Sequence, residues 1–239
     1  MILFLKAGSA FQTVIQRQGD FEDLFAKAMN LNNNQHQTFD ITQGHWPDPR
    51  RSPRGVVIMG SHHMVTENLP WMEEAALRLR QLVAEAIPVL GICFGHQLLA
   101  RAFGGIVNNN PKGLEIGTVD IQMTPAAAPD PLFGILPAQF KANVTHLQSV
   151  LKLPKNATRL AASGADDCQA FRVGASAWGA QFHPEFDDEV MSLYIEGRKP
   201  ELEEAGLDTE ALQSGVAQVP SSAQILVQFA KICGVDNSS

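Results

Sequence analysis

The 239-residue chain is 45% hydrophobic and 18% charged, with a formal net charge of −7, a composition that excludes a disordered chain and permits one large buried core. No sustained Lys/Arg cluster offsets the negative balance, so nothing marks a surface for nucleic acid or an anionic membrane, and a small-molecule partner is expected. No stretch reaches the roughly 20 apolar residues of a membrane helix.

Residues 1–8, MILFLKAG, are expected to form a first strand ended by Gly8. Lys6 interrupts the apolar run and no charged leader precedes it, which argues against a signal peptide and for a cytoplasmic location. In GDFEDLFAKAMN (19–30), Phe21, Leu24, Phe25 and Met29 recur at helical spacing. QTFDITQG (37–44) reads as a second strand, HWPDPRRSPR (45–54) as a surface loop and GVVIMGS (55–61) as a third strand. Met72, Ala75, Ala76, Leu79, Leu82, Val83 and Ala86 then mark a helix over 71–86, and Pro88 introduces the strand PVLGIC.

Alternating strands and helices imply a mostly parallel central sheet flanked by helices. Ligands of such sheets gather at the carboxyl ends of the strands, the rim to which MGSHHM and CFGHQ both point. Beyond residue 105 the pattern becomes β-rich and partly antiparallel: 115–124, 140–150, 157–164, 168–174 and 177–185 read as short strands. The acidic segment 187–219 is expected to be a solvated helical extension, with covering the site or forming an interface as the alternatives. SAQILVQFAKICG (222–234) closes the chain as an amphipathic helix ended by Gly234. With no repeat and no linker, a single domain over 1–239 is expected, its helical extension spanning about 187–239.

Three cysteines, Cys93, Cys168 and Cys233, lie far apart with no CxxC pair, against a disulfide framework or a zinc site. Cys168 and Cys233 fall in apolar patterns and read as inert core residues. Cys93 differs. In GICFG two glycines flank it at a strand-to-helix junction, where a sharp turn would expose the sulfur to the N-terminal dipole of the next helix, favouring thiolate and any neighbouring oxyanion. The same pattern also suits a small residue packed at a tight junction, and the five residues alone do not separate the two.

QFHPE (181–185) breaks that tie. On an extended segment His183 and Glu185 would project to one side, so the carboxylate could orient the imidazole and leave its other nitrogen for Cys93. The chain order, nucleophile, histidine, acid, argues against the α/β-hydrolases, where the acid precedes the histidine.

GICFGHQ followed about ninety residues later by QFHPE resembles the class I (triad-type) glutamine amidotransferases, and most of all their stand-alone members similar to the amidotransferase domain of GMP synthase. The likeness covers roughly residues 50–186. It implies a flavodoxin-like α/β fold with a smaller antiparallel portion, and a Cys93–His183–Glu185 triad that hydrolyses the glutamine side-chain amide through a γ-glutamyl thioester. It further implies an oxyanion hole from the backbone N–H of Phe94 and of Gly60 or Ser61, with substrate contacts from Gln97 and His146. The competing readings are a helix-start glutamine for Gln97 and a hydrogen-bonded core or rim histidine for His146.

His62, His63 and His96 are expected to crowd the same rim, but adjacent loop histidines are poor ligand geometry, so neither a metal nor a cofactor is expected. No GxxxxGK[ST] loop is present. The expected ligand is therefore glutamine or another γ-glutamyl small molecule. An ammonia-accepting synthetase is the possible protein partner, and γ-glutamyl peptide or conjugate hydrolysis and partner-gated activity are the alternative functions.

Overall fold

The computed structural model describes residues 1–48 and 52–235. The chain opens with β1 (Ile2–Lys6), whose side chains alternate between two apolar layers: Ile2 and Phe4 enter one, Leu3 and Leu5 the other. A strand buried on both faces reads as a continuous apolar run, which is why this segment is recognisable. Two helices follow, α1 (Gln12–Gln18) and α2 (Phe21–Ala28), separated at Gly19, whose φ is 90°. Asp20 caps α2 in a reciprocal capping box with Asp23. The pattern at 19–30 signals α2 alone; α1 exposes most of its side chains, and its sequence carries too narrow an apolar stripe to announce it.

β2 (His36–Asp40) is shorter than the expected 37–44 strand. The Asp40 carboxylate accepts the Thr42 N–H at 3.0 Å and turns the chain into a single 3-10 turn, Ile41–Gln43. In the predicted loop 45–54, residues 49–51 lie outside the described residues; Trp46 lies under the Arg78 guanidinium, 4.6 Å from its ring centre. β3 (Gly55–Ile58), α3 (Pro70–Ala84), β4 (Val89–Ile92) and α4 (Phe94–Ala102) then continue the strand–helix alternation.

The second half is β-rich, as expected, but its boundaries differ. β5 (Ile106–Asn109), too short and polar to stand out, precedes β6 (Glu115–Met123). The segment 140–150 is two strands, β7 (Gln139–His146) and β8 (Gln148–Lys152), broken at Leu147. β9 (Ala157–Ala162), β10 (Ala170–Val173) and β11 (Ala177–Ala180) complete the set. Nine strands form one sheet in the order β2-β1-β3-β4-β11-β10-β9-β6-β7, while β5 and β8 make a small antiparallel pair. The first five strands in that order, β2 to β11, make four parallel pairs, and the four pairs from β11 to β7 are antiparallel.

The pairing that matters for function is β11 alongside β4, parallel and in register from Ala177 opposite Val89 to Ala180 opposite Ile92. It delivers the residues after each strand, Cys93 and Gln181–Glu185, to one rim. Residues 177–185 are therefore not one strand: pairing ends at Ala180 and the remainder turns.

The expected extension is four helices, α5 (Asp188–Gly197), α6 (Lys199–Glu204), α7 (Thr209–Ser214) and α8 (Pro220–Ile232). It is not merely solvated: Val190, Met191, Leu193, Tyr194 and Ile195 of α5 are buried in the same apolar layer as α2 and α8. Cys93, Cys168 and Cys233 are buried free thiols. Among the described residues, no helix is long and apolar enough to cross a membrane.

Candidate active site

Cys93 sits between β4 and α4 with φ 51° and ψ −102°, outside the regions comfortable for an L-residue, a strain of about 1–3 kcal/mol that the surroundings must hold in place. Its N–H donates to Ala180 O at 2.9 Å and its carbonyl accepts from Gln97 N at 3.1 Å, so both sides of the residue are pinned. The flanking glycines do not supply the unusual dihedral, since neither has a positive φ. They supply space: a Cβ on Gly91 would lie 2.3 Å from Gly95 O, and one on Gly95 would lie 2.3 Å from Ile58 O. The glycines thus serve close packing, and the strain of the turn is carried by the cysteine.

Facing it, His183 Nδ1 is 2.7 Å from Glu185 Oε1, and both side chains are buried. The pair is made by a turn, with Phe186 N donating to His183 O at 3.3 Å, and not by the side-to-side alternation of a strand. The imidazole stacks on Phe186, ring centres 4.1 Å apart at 15°. A Cβ on Gly60 would stand 3.2 Å from His183 Cε1, so only a residue with no side chain lets the ring settle there without displacement. Nε2 is left without a hydrogen-bond partner of good geometry, although Cys93 is near enough for its charge to be felt. Burial by itself would lower the His183 pKa, but the Glu185 carboxylate and then Cys93 outweigh it and raise the value to about 10.

Asn143 of β7 holds this turn from behind. Its carbonyl accepts from His183 N at 2.8 Å, and its Nδ2 donates to the Phe186 and Asp187 carbonyls at 3.0 and 3.3 Å. Thr118 Oγ1 donates to Asn143 Oδ1 at 2.8 Å. Nothing in the sequence singles out this residue: by strand alternation Asn143 shares a face with Gln139, Lys141 and Thr145, opposite the apolar Phe140, Ala142 and Val144, and only its full burial on that polar face sets it apart.

A cavity of about 290 Å³ opens over the sulfur, lined among others by Cys93, Gln97, His146, His183, Tyr194 and Arg198. Gln97 and His146 converge on one atom. Gln97 Nε2 donates to the Gln148 carbonyl at 2.8 Å, and His146 Nδ1 lies 3.0 Å from the same oxygen. Gln97 Nε2 also donates to Gln181 Oε1 at 3.0 Å, so both of its N–H groups are engaged and its carbonyl oxygen is what it can offer a ligand. His146 Nε2 meets Glu115 Oε2 at 2.9 Å, the two residues being cross-strand neighbours on β6 and β7. Both His146 nitrogens thus face protein acceptors, and the ring shapes the cavity wall without a free nitrogen.

Phe94 is the first residue of α4, where a backbone N–H has no partner within the helix. Ser61 Oγ donates to Ala7 O at 2.6 Å and accepts from His63 N at 3.0 Å, which fixes the loop after β3 against β1. Gly60 thereby stands against the His183 ring, and Ser61 lines the same cavity as Cys93 and His183.

His62, His63 and His96, expected to crowd one rim, do not converge. His96 is fully buried against Phe171, and burial lowers its pKa to about 3 despite the nearby backbone of Gly179 and Cys168. It faces the core beneath the sheet because α4 turns it away from the rim. His63 pairs with Glu67 at the surface, 2.9 Å away. His62 stays at the cavity, packed on Phe11 and near Tyr194; burial, then Arg198 and His183, lower its pKa.

The extension supplies the remaining wall. Tyr194 of α5 packs on Phe186 and Phe11, with ring centres 4.7 and 4.9 Å away. Arg198 donates through Nη1 to Thr145 Oγ1 at 2.7 Å, and through Nε and Nη2 to the two oxygens of Glu201 at 3.0 and 2.7 Å. The Thr145 carbonyl lies 3.9 Å from Cys93 Sγ.

A family model described as glutamine amidotransferase class-I matches residues 7–195, and the chain belongs to that family. Among curated proteins it is similar to gamma-glutamyl peptidase 5 of Arabidopsis thaliana, 32% identical over 198 residues that cover 81% of this chain and 78% of the relative. Gamma-glutamyl peptidase 4 of the same plant is 31% identical over 178 residues, covering 72% and 70%. A glutamine-hydrolyzing GMP synthase of Thermosipho africanus is 32% identical over 151 residues, which span 60% of this chain but 27% of that protein. Among solved structures, a glutamine amidotransferase of Thermotoga maritima superposes with a TM-score of 0.75 over 98% of both chains at 24% identity, a likeness of fold.

Proposed function

We propose that the protein hydrolyses γ-glutamyl amides through a thioester on Cys93, with His183 as proton carrier and Glu185 as its orienting acid. The observation that carries this reading is the strained, pinned Cys93 facing a buried His183–Glu185 pair with His183 Nε2 unpartnered. A ring whose protonated form is stabilised is a competent acceptor of the thiol proton. Sγ then attacks the amide carbon, and the oxygen takes the π electrons beside the backbone N–H of Phe94 and of Gly60 or Ser61. Collapse re-forms the carbonyl and breaks the carbon–nitrogen bond, while Nε2 returns the proton to the departing nitrogen. Water, deprotonated by Nε2, attacks the thioester; the carbon–sulfur bond breaks, Sγ regains a proton and glutamate leaves. In this reading residues 1–239 act as a single amidotransferase-like domain, with Gln97 and His146 shaping the glutamyl end of the cavity.

Glutamine is the simplest such substrate, and its ammonia would pass to water or to a partner synthetase. The gamma-glutamyl peptidase relatives, together with a cavity wall built from α5, favour a larger leaving amine. The test is glutamate release from glutamine and γ-glutamyl peptides, with intact-mass detection of a γ-glutamyl adduct on Cys93. Cys93→Ala is expected to lose release by at least about 10⁴-fold and the adduct altogether; undiminished release by that variant overturns the reading.

A further inference from the structure

The cavity has two chemically different walls. On one, Gln97 and His146 are tied together at the Gln148 carbonyl. On the other, His183, Tyr194, His62 and Phe11 line the cavity, and the buried Phe186 packs behind them against both His183 and Tyr194, so the rings form one contact path. Proton return requires the leaving nitrogen to face His183, so whatever substituent that nitrogen carries is directed along the second wall. Glutamine carries none there and leaves this wall unused.

Two groups on that wall are built to receive something. Tyr194 is 3% exposed, yet its hydroxyl has no hydrogen-bond partner, a costly state for a buried polar group unless a ligand completes it. Arg198 has five N–H donors; its bonds to Glu201 and Thr145 engage Nε, one hydrogen of Nη2 and one of Nη1. One donor on each terminal nitrogen remains. The guanidinium is already oriented by Glu201 and Thr145, so little rotamer freedom is lost when it binds an anion. Through Thr145, whose carbonyl is 3.9 Å from Sγ and whose hydroxyl is 2.7 Å from Nη1, it stands no more than about 11 Å from the sulfur. A carboxylate one residue past the scissile bond falls within that reach.

We propose that Tyr194 and Arg198 form a carboxylate subsite for the leaving amine, which selects γ-glutamyl amino acids over γ-glutamyl amides whose leaving amine lacks a carboxylate. The inference rests on the hydrolase reading and deepens it. Burial, joined by the Glu185 and Cys93 charges, raises the Tyr194 phenol well above its ordinary range. It is therefore a hydrogen-bond donor throughout the working pH range. Two donors from Arg198 and one from Tyr194 match the acceptors of a carboxylate, with Glu201 balancing the arginine charge from the opposite edge.

The experiment compares kcat/KM for γ-glutamyl-alanine and γ-glutamyl-ethylamide, which differ at the leaving amine by one carboxylate, with glutamine alongside. Wild type is expected to favour the alanine compound by about 30-fold, mostly in KM, as a charge-assisted contact dictates. Arg198→Gln should bring that ratio within about threefold of one, Arg198→Lys should recover part of it, and Tyr194→Phe, which removes one oxygen, should reduce it about fivefold. A wild-type ratio near one overturns the subsite, as does Arg198→Gln lowering both compounds in the same proportion. The latter is the signature of a structural role or of a contact to the glutamyl α-carboxylate. Glutamate release from none of the three compounds by wild type overturns the hydrolase reading itself.

Discussion

The Cys93 side of the site and the side that faces it are built differently. Cys93, Phe94 and Gln97 come from one continuous stretch, 89–100, in which β4, the turn and α4 are consecutive. The facing side draws Asn143–Gln148 from β7 and β8, His183 and Glu185 from the turn after β11, and Tyr194 and Arg198 from α5 and its end. Local construction sets the backbone path of Cys93, and the neighbouring strands only clamp it, through the Ala180 carbonyl of β11 and the close approach of Gly95 to Ile58 of β3. Assembly from distant segments lets the facing side vary while the Cys93 turn stays fixed.

The contrast can be broken most severely at the glycines. Gly95→Ala places a Cβ 2.3 Å from Ile58 O, a backbone atom that cannot step aside without parting α4 from β3. It is expected to cost about 3 kcal/mol or more, seen as loss of the cooperative unfolding transition or a large fall in its denaturant midpoint. Ordinary stability in this variant would show that α4 is not clamped on the sheet and that Cys93 strain has another origin.

The next effect belongs to the facing side. Glu185→Gln keeps the shape of the His183 contact but removes the leading charge that raises that imidazole. Turnover is expected to fall about 10²-fold, with the alkaline limb of the rate profile, governed by His183 near 10 in wild type, moving to lower pH. The stability consequence has a definite sign. A histidine raised from 6.5 to about 10 on folding contributes stability that is fully present below 6.5 and is lost as pH rises through 10. The stability advantage of wild type over Glu185→Gln should therefore shrink across that window in denaturant titrations. A constant difference would mean that the carboxylate acts through packing alone.

The same division explains what the amino-acid sequence made legible. Cys93, the turn and α4 could be read because their determinants are neighbours: an apolar run, a glycine pair and a helical period. His183 and Glu185 were legible as a pair through their short spacing, though the geometry joining them is a turn and not strand alternation. What placed them opposite Cys93 is the parallel pairing of β11 with β4, a long-range event with no local signal. His96 misled for a related reason, since its position directly after the GxCxG turn suggested the rim, while the helical rotation of α4 carried it into the core. Tyr194 and Arg198 lie in an acidic segment whose composition spoke of solvent. The apolar spacing of Val190, Met191, Leu193 and Tyr194 was present, but which surface it would cover depends on the tertiary fold.

The smallest expected effect probes how the two sides are kept in register. Asn143 joins strand β7 to the His183–Glu185 turn by its own backbone carbonyl and by two side-chain N–H bonds to the Phe186 and Asp187 carbonyls. Asn143→Ala retains the backbone contact and removes the others, leaving two carbonyls with one donor fewer each and the Thr118 hydroxyl without its acceptor. Such losses cost about 1–3 kcal/mol in stability where the groups stay buried, and the turn gains freedom at the point where His183 must hold its angle to Sγ. Turnover should fall about tenfold, far less than for Glu185→Gln, because the His183–Glu185 contact itself remains. Asn143→Asp separates the two contributions: it can accept from Thr118 but cannot donate to the two carbonyls. Activity equal to that of the alanine variant would locate the effect in the bonds to the turn, whereas recovery to the wild-type rate would locate it in Thr118 and leave the His183 turn held by its own stacking on Phe186.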